Sequence, residues 1–109
     1  MNKSRRKELE NIKSELSDYL TEMEELKGRL DEFNEEIECV RDEEESAYDN
    51  LPESIQEGER GEQMQAAIDA MDNAMDSVNE AVDAIDTAMN EVGNAFDSAC
   101  EFLEEAIAC

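Results

Sequence analysis

Carboxylates are the only side chains present in the number and spacing that chemistry demands. The chain of 109 residues carries 32 aspartates and glutamates and no histidine. Paired carboxylates do general acid-base work in glycoside hydrolysis and bind hard divalent cations, but only where they converge in a pocket. Without histidine, the commonest general base and the commonest metal ligand are missing, and with them the Glu-x-x-His signature of di-iron bundles. No Asp-x-Asp-x-Asp-Gly calcium loop occurs. Cys39, Cys100 and Cys109 form no Cys-x-x-Cys pair and are odd in number, which reads as reduced thiols. These residues predict a protein that is not an enzyme, with no catalytic centre, no cofactor and no bound metal.

What remains is electrostatic chemistry. The net charge is -23, and it is uneven: residues 1 to 41 hold 8 cations against 12 acids, whereas residues 42 to 109 hold Arg60 alone against 20 acids. Spread along a helical rod of roughly 70 Å, this is about one net charge per 3 Å, close to the ~3.4 Å spacing of phosphates along a single nucleic-acid strand. Asp69, Asp72, Asp76, Asp83 and Asp86 are spaced by three, four and seven, so a helix carries them along one side about every 5 to 10 Å. A basic groove that releases counterions from phosphate would be drawn to such a stripe. The plainer reading is a solvated acidic face that keeps a small protein soluble.

Two heptad series must position these groups. Leu9, Ile12, Leu16, Tyr19, Met23, Leu26, Leu30, Phe33, Ile37, Val40, Glu44, Ala47 and Leu51 alternate steps of three and four, and so does the run from Met64 and Ile68 to Leu103 and Ala106. Folding the chain back near residue 57 pairs Leu51 with Met64, Val40 with Met75, Leu30 with Ile85 and Leu9 with Ala106. Position a of one helix then faces position d of the other throughout, the layer rule of an antiparallel coiled coil. The fold class is therefore all-α: one domain, 1–109, a long antiparallel two-helix coiled-coil hairpin that dimerises into a four-helix bundle. Its first helix spans about 4–49, its reversal about 50–61 and its second helix about 62–108. Ser4 serves as the helix start; Asn50 and Pro52 end the first helix, with Pro52 fitting the first turn of a new short helix; Gly58 and Gly61 allow the reversal.

The flanks support this register. Position e faces e, giving Arg41 with Asp72, Lys27 with Asp86, Asn34 with Asn79 and Leu20 over Gly93, and leaving Lys13 without an acid. Such exposed pairs select register more than they stabilise. A competing arrangement is a parallel dimer of the first helix, with Glu8, Glu22 and Glu36 against Lys13, Lys27 and Arg41 of a second copy. It would leave the second helix's apolar seam unburied. The hairpin register separates Cys39 from Cys100 and so predicts no disulfide between them. Glu44 falls at a seam position opposite Met71, which reads either as fraying near the helix end or as a weak point that lets the tip move.

From Ala67 the second helix repeats Ala-apolar-Asp-x-apolar-Asp/Asn-x, which places Ala67, Ala70, Ala74, Ala81, Ala84, Ala88 and Ala95 at g and c. Small side chains let another helix approach closely, so Ala67, Ala74, Ala81, Ala88 and Ala95 are the expected homodimer interface. Alanine is also simply the best helix former at an exposed position. The basic N-terminal MNKSRRKELE has no apolar stretch behind it and the longest apolar run is three residues, which predicts neither a signal peptide nor a membrane span.

The block Tyr48-Asp-Asn-Leu-Pro-Glu-Ser-Ile-Gln-Glu-Gly-Glu-Arg-Gly-Glu-Gln63, with the acidic Ala/Asp heptads that follow to residue 80, resembles a segment of small uncharacterised acidic helical proteins of bacteriophages and mobile elements, particularly of Gram-positive hosts. That resemblance implies a context: small acidic phage proteins include anti-restriction and anti-CRISPR inhibitors that occupy nucleic-acid grooves. It carries no functional residue across. The functional expectation is a non-enzymatic, phage-encoded polyanion mimic, acting in the host cytoplasm, whose acidic stripe (Asp69, Asp72, Asp76, Asp83, Asp86) occupies a basic groove of a nucleic-acid-binding protein. It would touch neither nucleic acid nor membrane directly. The alternative is a structural or assembly coiled-coil protein.

Overall fold

Asn2, not Ser4, starts the first helix: its Oδ1 accepts the backbone N–H of Arg5 at 2.8 Å and its carbonyl accepts that of Arg6 at 3.1 Å, which satisfies two of the donors every helix start leaves open. The computed structural model describes Met1–Cys109, and it is all-helical: α1 (Lys3–Asp49), the one-turn α2 (Glu53–Gln56) and α3 (Glu59–Ala108). Long runs of Glu, Lys, Leu and Arg in α1, and of Ala, Met and Asp in α3, contain no proline to interrupt them.

Pro52 ends α1 by disfavouring helical geometry at Leu51, then serves as the N-cap of α2 with φ -58°. The Gln56 amide donates to the Tyr48 carbonyl at 2.8 Å, so α2 satisfies an acceptor that the end of α1 leaves open. Gly58 and Gly61 lie at the reversal, as expected, and neither needs a positive φ there. Gly58 offers its carbonyl to Glu62 as α3 begins. Gly61 is buried because α2 lies against it: a Cβ there would sit 1.9 Å from the Gln56 carbonyl oxygen. The second helix therefore starts at Glu59, earlier than the sequence suggests, and Glu59 and Glu62 suit its positive first turn.

The fold divides into two compact units, each taking a stretch of α1 and a stretch of α3. The first comprises Met1–Gly28 and Asp83–Cys109. Its two stretches are antiparallel, tied by Lys27 to Asp86 at 2.6 Å and by Lys13 to Glu104 at 2.8 Å, and the Met1 ammonium donates to the Cys109 carbonyl at 3.3 Å. The start of α1 has Lys3, Arg5 and Arg6 and no acid, and the end of α3 has Glu104 and Glu105 and no base. Each is the wrong charge for its own helix dipole, but as neighbours they compensate one another. In the second unit, Arg29–Val82, the stretches are antiparallel as well: the Arg41 Nε donates to Asp72 at 2.9 Å and the Asn34 Nδ2 to Asn79 at 2.8 Å. The cations that a parallel dimer of the first helix would require are thus engaged within the chain.

The core is thin. Only Ile68 and Val82 among large apolar residues are buried, 2% and 8% exposed. On α3 both seam columns lie half-buried or deeper. On α1 they do not: Leu9, Leu16, Met23, Leu30 and Ile37 are half-buried, while Ile12, Tyr19, Leu26, Phe33 and Val40 are 39 to 54% exposed. The second buried column of α1 is instead Lys13, Leu20, Lys27, Asn34, Arg41 and Tyr48. Charge-assisted hydrogen bonds from Lys13, Lys27 and Arg41 draw the e column of α1 toward α3, whereas no ion pair joins the g column of α1 to α3. The rotation is a correction to the a-to-d layers expected from periodicity: Val40, expected over Met75, is 54% exposed.

Candidate functional site

The five aspartates of the acidic stripe fall into two groups. In the second unit Asp72 is half-buried against Arg41, while Asp69 and Asp76 are exposed, Asp69 accepting only the Gln65 amide at 3.3 Å. In the first unit Asp86 is held by Lys27, while Asp83 is exposed and makes no ion pair. Among these five, the two at position e, Asp72 and Asp86, are held by cations of α1, and the three at position b, Asp69, Asp76 and Asp83, make no ion pair. α3 supplies them no counter-ion, since Arg60 is its sole cation.

The basic residues of the e column are fully engaged. Arg41 also reaches Asp42 and Glu45 on its own helix; the Asp72 hydrogen bond is the main cause holding its pKa above the ordinary value. Lys13, which the sequence left without an acid, finds Glu104, and that hydrogen bond raises its pKa above the ordinary 10.5. The other expected pair, Leu20 over Gly93, is looser: no atom lies within 4 Å of where a Gly93 Cβ would be.

The alanines divide between the units too. Ala67, Ala70, Ala74 and Ala81 are exposed in the second, Ala84 and Ala95 in the first, and Ala88 is half-buried. In the second unit Ala70 and Ala74 border an open groove of about 610 Å³, lined also by Phe33, Glu36, Ile37 and Val40 of α1 and Met71 and Val78 of α3. Sequence periodicity missed this groove because it assigned Phe33 and Val40 to the seam. The signal was present: three e pairs, Arg41 with Asp72, Lys27 with Asp86 and Asn34 with Asn79, are complementary, and the g columns set Glu36 and Glu43 against alanine. Near the tip, Glu44 is half-buried, lining a hollow with Ala47, Arg60, Gln63 and Met64.

No group of three or more carboxylates and thiols converges where a metal ion could be held. The cysteines are free, Cys39 and Cys109 exposed and Cys100 half-buried. No helix is long and apolar enough to cross a membrane. α3 carries a carboxylate-rich flank at b and e and, on its other side, an alanine-rich flank at c and g. Set against known proteins, the chain matches no family model, no curated protein and no solved structure.

So many like charges on a thin core set the response to solution conditions. The net charge of -23 vanishes as pH falls toward the isoelectric point of about 4.1, and salt screens it, so self-repulsion weakens in both directions. The contribution of Lys13, whose pKa is raised in the folded chain, is complete below 10.5 and is lost only as pH rises past its folded value, so it does not oppose this trend. The melting temperature is expected to rise between pH 7 and about pH 5, and on going from about 0.05 M to about 0.5 M salt at pH 7. Thermal scans followed by circular dichroism check both. A fall in either series would mean that ion pairs, not repulsion, dominate.

Proposed function

We propose that this chain is a non-enzymatic acidic interaction protein whose α3 carboxylates stand in for a phosphate backbone and occupy the basic groove of a nucleic-acid-handling protein. The observation that carries the reading is the exposure of Asp69, Asp76 and Asp83 without a counter-ion, on a helix with a single cation. A partner's Lys and Arg side chains would supply the missing charge and release the ions condensed on them. The resemblance over residues 48–80 supports grouping such a protein with phage-encoded inhibitors of the anti-restriction or anti-CRISPR type, working in the host cytoplasm. Two copies associate through Ala67, Ala74, Ala81, Ala88 and Ala95, which leaves the carboxylate flank free because c and g lie across the helix from b and e.

The test is competition. A host protein retained on the immobilised chain at low salt should lose affinity by on the order of a thousandfold or more between about 0.05 M and about 0.5 M salt, at about one slope unit for each of three or more contacts, and duplex DNA should displace it. A partner that resists both DNA and salt would remove the mimicry reading. It would favour the second reading, a structural or assembly protein, for which the exposed apolar column Ile12, Tyr19, Leu26, Phe33 and Val40 on α1 speaks.

A further inference from the structure

The groove of the second unit is uneven in a particular way. Its α1 wall is a ridge of large side chains, with Phe33 39% and Val40 54% exposed, and its α3 side is a floor of small ones, Ala70 and Ala74 over Met71 and Val78. A surface with a ridge beside a shallow floor is its own complement under a two-fold rotation, because the ridge of each copy then lies on the floor of the other. The distribution of charge points to the same occupant. Although α3 is strongly acidic, its c and g columns from Ala67 to Ala88 read Ala67, Ala70, Ala74, Ser77, Ala81, Ala84 and Ala88, with no carboxylate among them. A basic partner helix would call for acids beside the groove on both walls; here only the α1 wall has one, Glu36. A partner that is itself polyanionic approaches most closely where carboxylates are fewest, and the α3 wall of this groove has none while the α1 wall has Glu36 alone.

We infer that the groove receives a second copy of this chain, the Phe33–Val40 ridge of each α1 seating on the Ala70–Ala74 floor of the other copy's α3. The inference rests on the association proposed above and specifies its faces. It also fixes a salt dependence opposite in sign to that of partner binding: two copies repel one another, so salt strengthens their association while it weakens the hold on a basic partner.

Sedimentation equilibrium of three proteins decides it: the parent, the triple variant Ala74→Glu, Ala81→Glu, Ala88→Glu, and the double variant Phe33→Glu, Val40→Glu. The largely exposed positions and the high helix propensity of Glu let the variants keep their helicity, which circular dichroism confirms. The parent is expected at twice the 12.3 kDa chain mass, more completely at high salt, and both variants at the mass of one chain. A parent that stays at one chain mass at every salt concentration overturns the association itself. A double variant that remains a dimer while the triple variant does not overturns the ridge-on-floor interface but leaves the alanine interface standing. As an independent readout, Val40→Cys mixed with Ala74→Cys, in a background with the native cysteines changed to Ser, is expected to give crosslinked pairs of unlike variants. Crosslinks confined to like pairs would contradict the arrangement.

Discussion

Gly61→Ala is expected to destabilise the fold by about 2 kcal/mol or more, the upper part of the range for forcing extra volume into a packed site. In most helices the same change helps, since alanine is the better helix former by about 1 kcal/mol. Here the new methyl would stand 1.9 Å from the Gln56 carbonyl oxygen, 2.4 Å from its carbon and 2.6 Å from its Cα. All three are backbone atoms, so no side chain can turn aside and α2 itself must lift away. That would loosen the Gln56 amide from the Tyr48 carbonyl and open the turn that lets α3 run back along α1. Gly28 and Gly93 are the controls, because nothing lies within 4 Å of a Cβ at either; alanine at each is expected to stabilise by about 0.5–1 kcal/mol. Urea unfolding of the three variants reads the sign directly. Equal behaviour of Gly61→Ala and Gly93→Ala would mean that the α2–α3 corner gives way without cost.

Gly61 also illustrates where the sequence is legible and where it is not. A glycine between two helical stretches suggests a chain reversal, and the reversal is there. That it is needed for a close approach, with an ordinary helical backbone, depends on where Gln56 comes to lie, and no local pattern encodes that. Pro52 is readable because its effect is local: it ends one helix and begins the next whatever surrounds it. The helix start differs by two residues from the expected one, since Ser4 and Asn2 are both good caps and only the hydrogen bond to Arg5 distinguishes them. The register is legible through complementary charge, as Arg41 with Asp72 and Lys27 with Asp86 show. Rotation about the helix axes is not. Periodicity places Leu30 and Phe33 in the same apolar stripe, and only the pull of the e-column pairs decides that one turns inward and the other out. The acidic stripe shows the same limit: its carboxylates are obvious in the sequence, but their division into Asp72 and Asp86, spent on the hairpin, and Asp69, Asp76 and Asp83, left exposed, depends on the partner helix.

The role of the stripe as a polyanion is tested most directly on the carboxylates themselves. Changing Asp69, Asp72, Asp76, Asp83 and Asp86 to Asn preserves shape and removes five charges; the narrower set Asp69, Asp76 and Asp83 to Asn removes only those that make no ion pair. Both variants should remain helical, the narrower one at least as stable as the parent, because its residues bridge no helices and the loss of three like charges reduces self-repulsion. Each lost contact with a Lys or Arg of the partner lowers both the affinity and its salt slope, by about one slope unit per contact. Titration calorimetry of the captured partner against parent and variants, at several salt concentrations and with DNA as competitor, is the decisive measurement. The triple variant is expected to bind more than tenfold more weakly with a shallower salt slope, the quintuple variant more weakly still, and DNA is expected to displace the parent protein. Equal affinity and equal salt slope for the parent and both variants would contradict the phosphate-surrogate role.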